Sequence, residues 1–122
     1  MNDKGSQKII EIEWENIPSV NDYWHYTYKN GKPHVFITRQ GQEFKTFVNY
    51  IAKNSIECIS TNELHLEIKC YFKRYNRDID NVLKPLLDSL QGVVYENDSQ
   101  IKSIYITKFK SDKNKITVLV KG

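Results

Sequence analysis

Apolar and polar residues alternate from Lys8 to Trp14, with Ile10, Ile12 and Trp14 on one side of the two-residue period of a strand. The stretch from Glu15 to Pro33 is punctuated by turn-forming residues. It scatters Pro, Asn, Gly and Ser among Tyr23, Trp24, His25, Tyr26 and Tyr28, which predicts a long loop broken by a turn at Asn30-Gly31. His34 to Thr38 is expected to leave that turn as a short strand. Between 40 and 59 the apolar residues Phe44, Phe47, Val48, Ile51, Ala52 and Ile59 recur at helical spacing. Leu64 to Phe72 carries the clearest strand signal, with Leu64, Leu66, Ile68, Cys70 and Phe72 pointing one way and His65, Glu67, Lys69 and Tyr71 the other. A second amphipathic helix is expected over about 79 to 91, stopped by Gly92. Two β-type runs, Ser103 to Phe109 and Lys115 to Val120, flank a polar SDKN and predict a terminal hairpin or two neighbouring strands. The expected fold is α/β in the α+β sense: a single compact domain over 1–122, with a mixed sheet and two main helices on one face.

Composition supports a folded globule. The chain has 122 residues, 39% of them hydrophobic, with eight Tyr and two Trp and no low-complexity tract. No apolar run approaches the roughly 20 residues needed to cross a bilayer, and the start, MNDKGSQK, lacks the apolar core of a signal peptide. A cytoplasmic location is therefore expected. Cys58 and Cys70 have neither a CxxC partner nor a His at ligand spacing, so they read as reduced thiols. The formal charge of +3 permits a polyanionic partner without demanding one. Its distribution is more informative, since Lys69, Lys73, Arg74 and Arg77 precede an acidic pair and Lys102, Lys108, Lys110, Lys113 and Lys115 crowd after Asp98.

That acidic pair opens the second helix. Ile79, Val82, Leu83, Leu86, Leu87 and Leu90 commit one side of the helix to the core, while Asp80, Lys84 and Asp88 step down the other. Asp78 shares the side of Asp80 only if it lies just before the helix, because residues two apart on a helix diverge by about 200°. A helix from 79 to 90 travels about 18 Å, and six extended residues return about 20 Å. Asp98 is thereby expected level with the first two. Three such carboxylates repel unless a cation sits between them, and hard oxygen ligands suit Mg²⁺ or Mn²⁺. Taken singly, each residue has an ordinary role: Asp78 as a helix cap, Asp80 as a partner of the helix dipole, Asp98 in a turn, Lys84 and Asp88 as a surface pair. Pro85 should free the carbonyl of Asn81 or kink the helix.

Arg77-Asp78-Ile79-Asp80-Asn81, Lys84, Asp88-x-Leu90, Gly92 and Asp98-x-Gln100 together resemble the signature of RusA-type Holliday-junction resolvases of bacteria, phages and prophages. Pro18-Ser19-Val20-Asn21-Asp22-Tyr23-Trp24 is similar to the family's segment after the first strand. The resemblance implies a Mg²⁺-dependent homodimer that cuts four-way junction DNA by paired nicks in recombination and repair. It implies Asp78, Asp80 and Asp98 as catalytic metal-binding carboxylates, Lys84 as the catalytic lysine and Arg77 as a phosphate contact. One departure is visible: family members often have Asp-Asp where this chain has Asn97-Asp98.

Lys73 and Arg74 add basic charge beside Arg77. Tyr23, Trp24, Lys29 and Lys32 lie in the aromatic, basic loop, expected either to contact the junction, since aromatics stack on unpaired bases, or to fold back on the core or a dimer seam. No nucleotide cofactor or membrane partner is expected. Glu67-Ile68-Lys69 spells the ExK of restriction-type nucleases, but that triplet is common by chance. A DNA-binding module without nuclease activity is the alternative of a different class.

Overall fold

The computed structural model describes residues 7–56, 59–74 and 77–122; the expectation for Cys58 lies outside them. Elements run β1 (Gln7–Glu13), α1 (Val20–Tyr23), β2 (Trp24–Lys29), β3 (Lys32–Ile37), α2 (Arg39–Ser55), β4 (Leu64–Phe72), α3 (Ile79–Leu90), β5 (Ile101–Lys110) and β6 (Lys115–Lys121). This is a mixed α+β fold, as expected. Four strands form one sheet in the order β1-β6-β4-β5, with β4 and β5 parallel and the other neighbours antiparallel. β2 and β3 form a separate two-stranded sheet.

Period-two alternation places Leu64, Leu66, Ile68, Cys70 and Phe72 of β4 in the core, joined by Ile10 and Ile12 of β1 and Ile116 and Val118 of β6. α2 and α3 cover this face with Phe44, Val48, Ala52, Val82, Leu86 and Leu90. Trp14 lies just past β1, its ring 4.5 Å from that of Phe47. The opposite face of the sheet carries a stacked Tyr71–Phe109 pair with Lys115 over the Tyr71 ring, and charge pairs such as Lys121–Glu67 and Lys115–Glu11.

Two expectations need correction. The segment after α1 is not a loop but the β2–β3 hairpin, and Asn30-Gly31 is its turn, with φ of 53° and 76° at the two residues. Both central residues of a type I′ hairpin turn take positive φ, a conformation that Asn and Gly adopt at least cost. β5 and β6 are not neighbours, because β4 lies between them. The polar 111–114 link passes over the end of β4, where Ser111 N donates to Phe72 O and Lys73 N donates to Asn114 Oδ1. Bridging two strand spacings, about 9.6 Å, is within reach of so short a link.

Burial pushes the Cys70 thiol up to about 11, and it pushes the Tyr23 and Tyr95 hydroxyls well above their ordinary value. In the unfolded chain the thiol ionises from about pH 9. Its contribution to stability is therefore complete below pH 9 and is lost as pH rises towards 11, a loss of roughly 2–3 kcal/mol. Thermal melts should show Tm falling above pH 9, with the two tyrosines extending the fall above pH 10. Cys70→Ala, less stable at pH 7, should lose less Tm between pH 8 and 10.5; parallel curves would contradict this origin.

Candidate active site

The head of α3 is built by the chain's exit from β4. Asp78 is the helix N-cap, in extended conformation at φ −79° and ψ 136°, and its carboxylate makes no capping bond. A capping Asp normally accepts from the first-turn amides; here only Asn81 Nδ2 approaches it, at 3.5 Å. Asp80 lies in the first turn, exposed, and Lys84 is exposed further along the helix. Asp78 thus lies just before the helix and Asp80 in its first turn, neither carboxylate ion-paired to a described residue. Pro85 is buried on the core side, and its missing N–H leaves the Asn81 carbonyl without a helical donor.

Asp98 does not join them within one chain. After α3 the chain turns at Gly92, φ 87°, with Gly92 N donating to Tyr95 O and Val93 N and Val94 N donating to Leu90 O. The return was expected to be extended over these residues; it begins only with β5 at Ile101. Asp98 consequently sits where the return starts, lining a hollow with Leu87, Ile101, Lys102, Ser103 and Ile104. From Asp78 to Leu87 the helix spans roughly 13 Å, beyond the reach of a shared ion. Among the described residues no three His, Cys, Asp or Glu side chains are placed to hold a metal.

The turn carrying Asp98 is nonetheless firmly set. Asn97 Oδ1 accepts from Ser99 N, and Gln100 Oε1 accepts from Glu96 N and Asn97 N. Gln100 Nε2 donates to Ser60 O and Asn62 O. Every donor and acceptor of the Gln100 amide is therefore occupied in aiming this turn, a positioning job that its place in the motif did not disclose. Asn97 serves as the cap of this turn, a role its side-chain oxygen fills.

Asp88, which continues the row of Asp80 and Lys84, is structural. It accepts from the Tyr23 hydroxyl at 2.6 Å and lies 3.6 Å from Lys45, so the expected pairing with Lys84 is replaced. Tyr23 itself is fully buried, with its hydroxyl also 3.4 Å from Ser89. The expectation that Tyr23 touches DNA is corrected: its ring belongs to the core between α1 and α3. Trp24 is half-buried, edge-on to Tyr23, and continues this packing. Lys29 and Lys32 are exposed either side of the hairpin turn.

The basic residues before the helix are tied into the fold. Arg77 is half-buried, donates to Ile17 O at 2.6 Å and lies over the Phe72 ring, and burial lowers its pKa from the ordinary value. Lys73 pairs with Glu15 at 2.6 Å. Both line, with Arg74 and Asp22, a polar hollow of about 690 Å³. Lys108 Nζ, unforeseen from the sequence, donates to Arg77 O and fixes the chain one residue before Asp78. Its spacing on β5 carries the only signal: Lys108 shares the helix-facing side with Ile104 and Ile106, where a charge needs a partner.

A family model described as endodeoxyribonuclease RusA matches residues 13–121. The chain belongs to the RusA endodeoxyribonuclease family. The match takes in the α3 head, the Asp98 turn and all of β4, β5 and β6, but only the last residue of β1. The chain is also similar to the uncharacterized protein YqaN of Bacillus subtilis (strain 168), with 24% identity over 116 residues, covering 76% of this chain and 82% of that protein. Among the described residues of this RusA-family chain, no helix is long and apolar enough to cross a membrane.

Proposed function

We propose that this chain is a Mg²⁺-dependent, structure-selective endodeoxyribonuclease that resolves Holliday junctions by paired symmetric nicks in cytoplasmic recombination and repair. The observation that carries the reading is the pair of uncapped, unpaired carboxylates, Asp78 and Asp80, at the head of α3 in a RusA-family chain. Mg²⁺ uses one or two protein carboxylates and fills its remaining positions with water and substrate phosphate. The α3 head meets that minimum. The ion, when bound, supplies an activated water and neutralises charge developing on the phosphate. Asp78 and Asp80 hold it; Lys84, on the exposed side of the same helix, sets a positive charge against the scissile phosphate.

The distance of Asp98 from this head supports a composite site in a homodimer. Two copies related by a two-fold axis bring the Asp98 turn of one against the α3 head of the other, twice, in step with the two equivalent strands of a junction. Gln100 and Asn97 hold the turn rigid enough to present its carboxylate to a second chain.

A synthetic four-way junction incubated with the protein tests this reading. Symmetric nicks with Mg²⁺ or Mn²⁺, absent with a chelator, are the expected result. Junction binding with no metal-dependent cleavage would make the protein a DNA-binding module instead.

A further inference from the structure

We propose that the β2 edge of the projecting hairpin is the surface through which two copies of this chain pair, antiparallel, across the two-fold axis. The inference rests on the homodimer of the proposed function and says which residues form its seam.

Backbone pairing decides which groups face outward. Thr38 N donates to Tyr23 O, so 23 and 38 form an inward-bonded pair, and with the Trp24↔Ile37 to Lys29↔Lys32 register the bonded pairs continue at 25/36, 27/34 and 29/32. The N–H and C=O groups of Trp24, Tyr26 and Tyr28 therefore point away from β3. No described strand pairs with them.

Exposed sheet edges are normally blunted by lysine, proline or other charges. β1 carries Lys8, Glu11 and Glu13, and β5 carries Lys102, Lys108 and Lys110. β3 has Pro33 at an outward position, where its missing N–H breaks the edge. β2 has none of these devices before Lys29. It is the one unprotected edge among the described strands.

Side chains agree with the backbone. Trp24, Tyr26, Tyr28, Pro33, Val35 and Ile37 share one face of the hairpin, and none is charged. Tyr26 and Tyr28 are 70% and 76% exposed and Val35 is 51% exposed, far more than core packing would leave. A second β2 placed antiparallel with Tyr26 on the axis sets Trp24 against Tyr28 of the second copy, twice. This register allows about six backbone hydrogen bonds and extends the apolar face across four strands. It opposes no like charges, because Lys29 falls opposite Tyr23. A nucleic-acid partner fits this edge less well, since its face has no cation before the hairpin tip.

Sedimentation and crosslinking test the seam. Tyr26→Pro removes an outward N–H and leaves the β2–β3 ladder intact; Val35→Pro makes the same change on the β3 edge. The wild type and Val35→Pro are expected to be dimers, with self-association of Tyr26→Pro weakened at least about 100-fold. Tyr26→Cys in a Cys58→Ser background should oxidise to a covalent dimer, as Cα atoms of a bonded pair lie about 5.5 Å apart. A dimeric wild type whose Tyr26→Pro variant stays dimeric and whose Tyr26→Cys variant does not crosslink would overturn this seam and leave the homodimer standing. The same persistence with junction binding lost would make the hairpin a DNA element. A monomeric wild type would overturn both readings.

Discussion

Asp80→Asn is expected to lower Mg²⁺-dependent nicking of a four-way junction by at least about 10³-fold, with little change in fold. The two effects separate because they have different physical origins. Asp80 is exposed, in the first turn of α3, and pairs with no described cation. For stability its charge is worth only the interaction with the helix N-terminus, about 0.3–1 kcal/mol. In the proposed chemistry it holds the ion that neutralises charge on the phosphate, a contribution of several kcal/mol, and each 1.36 kcal/mol is a factor of ten in rate. Nicking rates and thermal melts on the same preparation read both. Retained nicking would reduce Asp80 to a helix-dipole partner; lost nicking accompanied by an equally large loss of stability would make its role structural.

Tyr95→Ala is expected to be the most damaging single substitution outside the site. Tyr95 is fully buried, and its hydroxyl donates to Leu87 O at 2.6 Å, pinning the turn after α3 to the helix. Removing the ring leaves a cavity costing about 3–5 kcal/mol, a large share of a marginal total. Tyr95→Phe keeps the volume and should cost about 1 kcal/mol, since Leu87 O retains the bond from Gln91 N. Denaturant unfolding distinguishes them. Equal costs would place the importance of Tyr95 in its hydroxyl.

The parts of this protein that were legible in the sequence are those governed by local periods. β4 occupies Leu64–Phe72 as its alternation requires, and α3 runs from Ile79 to Leu90 with Gly92 just beyond it. The splitting of Asp78 and Asp80 across a loop-to-helix junction followed from the helical repeat alone. What the period could not carry was pairing at a distance. β5 and β6 each read as strands, but nothing within either says that β4 inserts between them. The hairpin was hidden by the Pro, Asn, Gly and Ser around it, which read as loop although Trp24, Tyr26 and Tyr28 alternate with His25, Thr27 and Lys29. Asp98 was misplaced by an arithmetic that allowed only residues 91 and 92 for the turn; Gly92 to Gln100 are spent on it, and Asp98 stays near the far end of α3.

Mixing two inactive variants is the measurement that most directly tests the composite site. Asp80→Asn and Asp98→Asn are each expected to lose nicking as pure preparations. Co-refolded in equal amounts, half the dimers are mixed, and in each of these one site combines an intact α3 head with an intact Asp98 turn. Recovery of about a quarter of the wild-type sites is expected, seen as single nicks in place of paired ones. A mixture as inactive as its components, with mixed dimers confirmed by mass, would show that each chain assembles its own three carboxylates and would contradict a composite site.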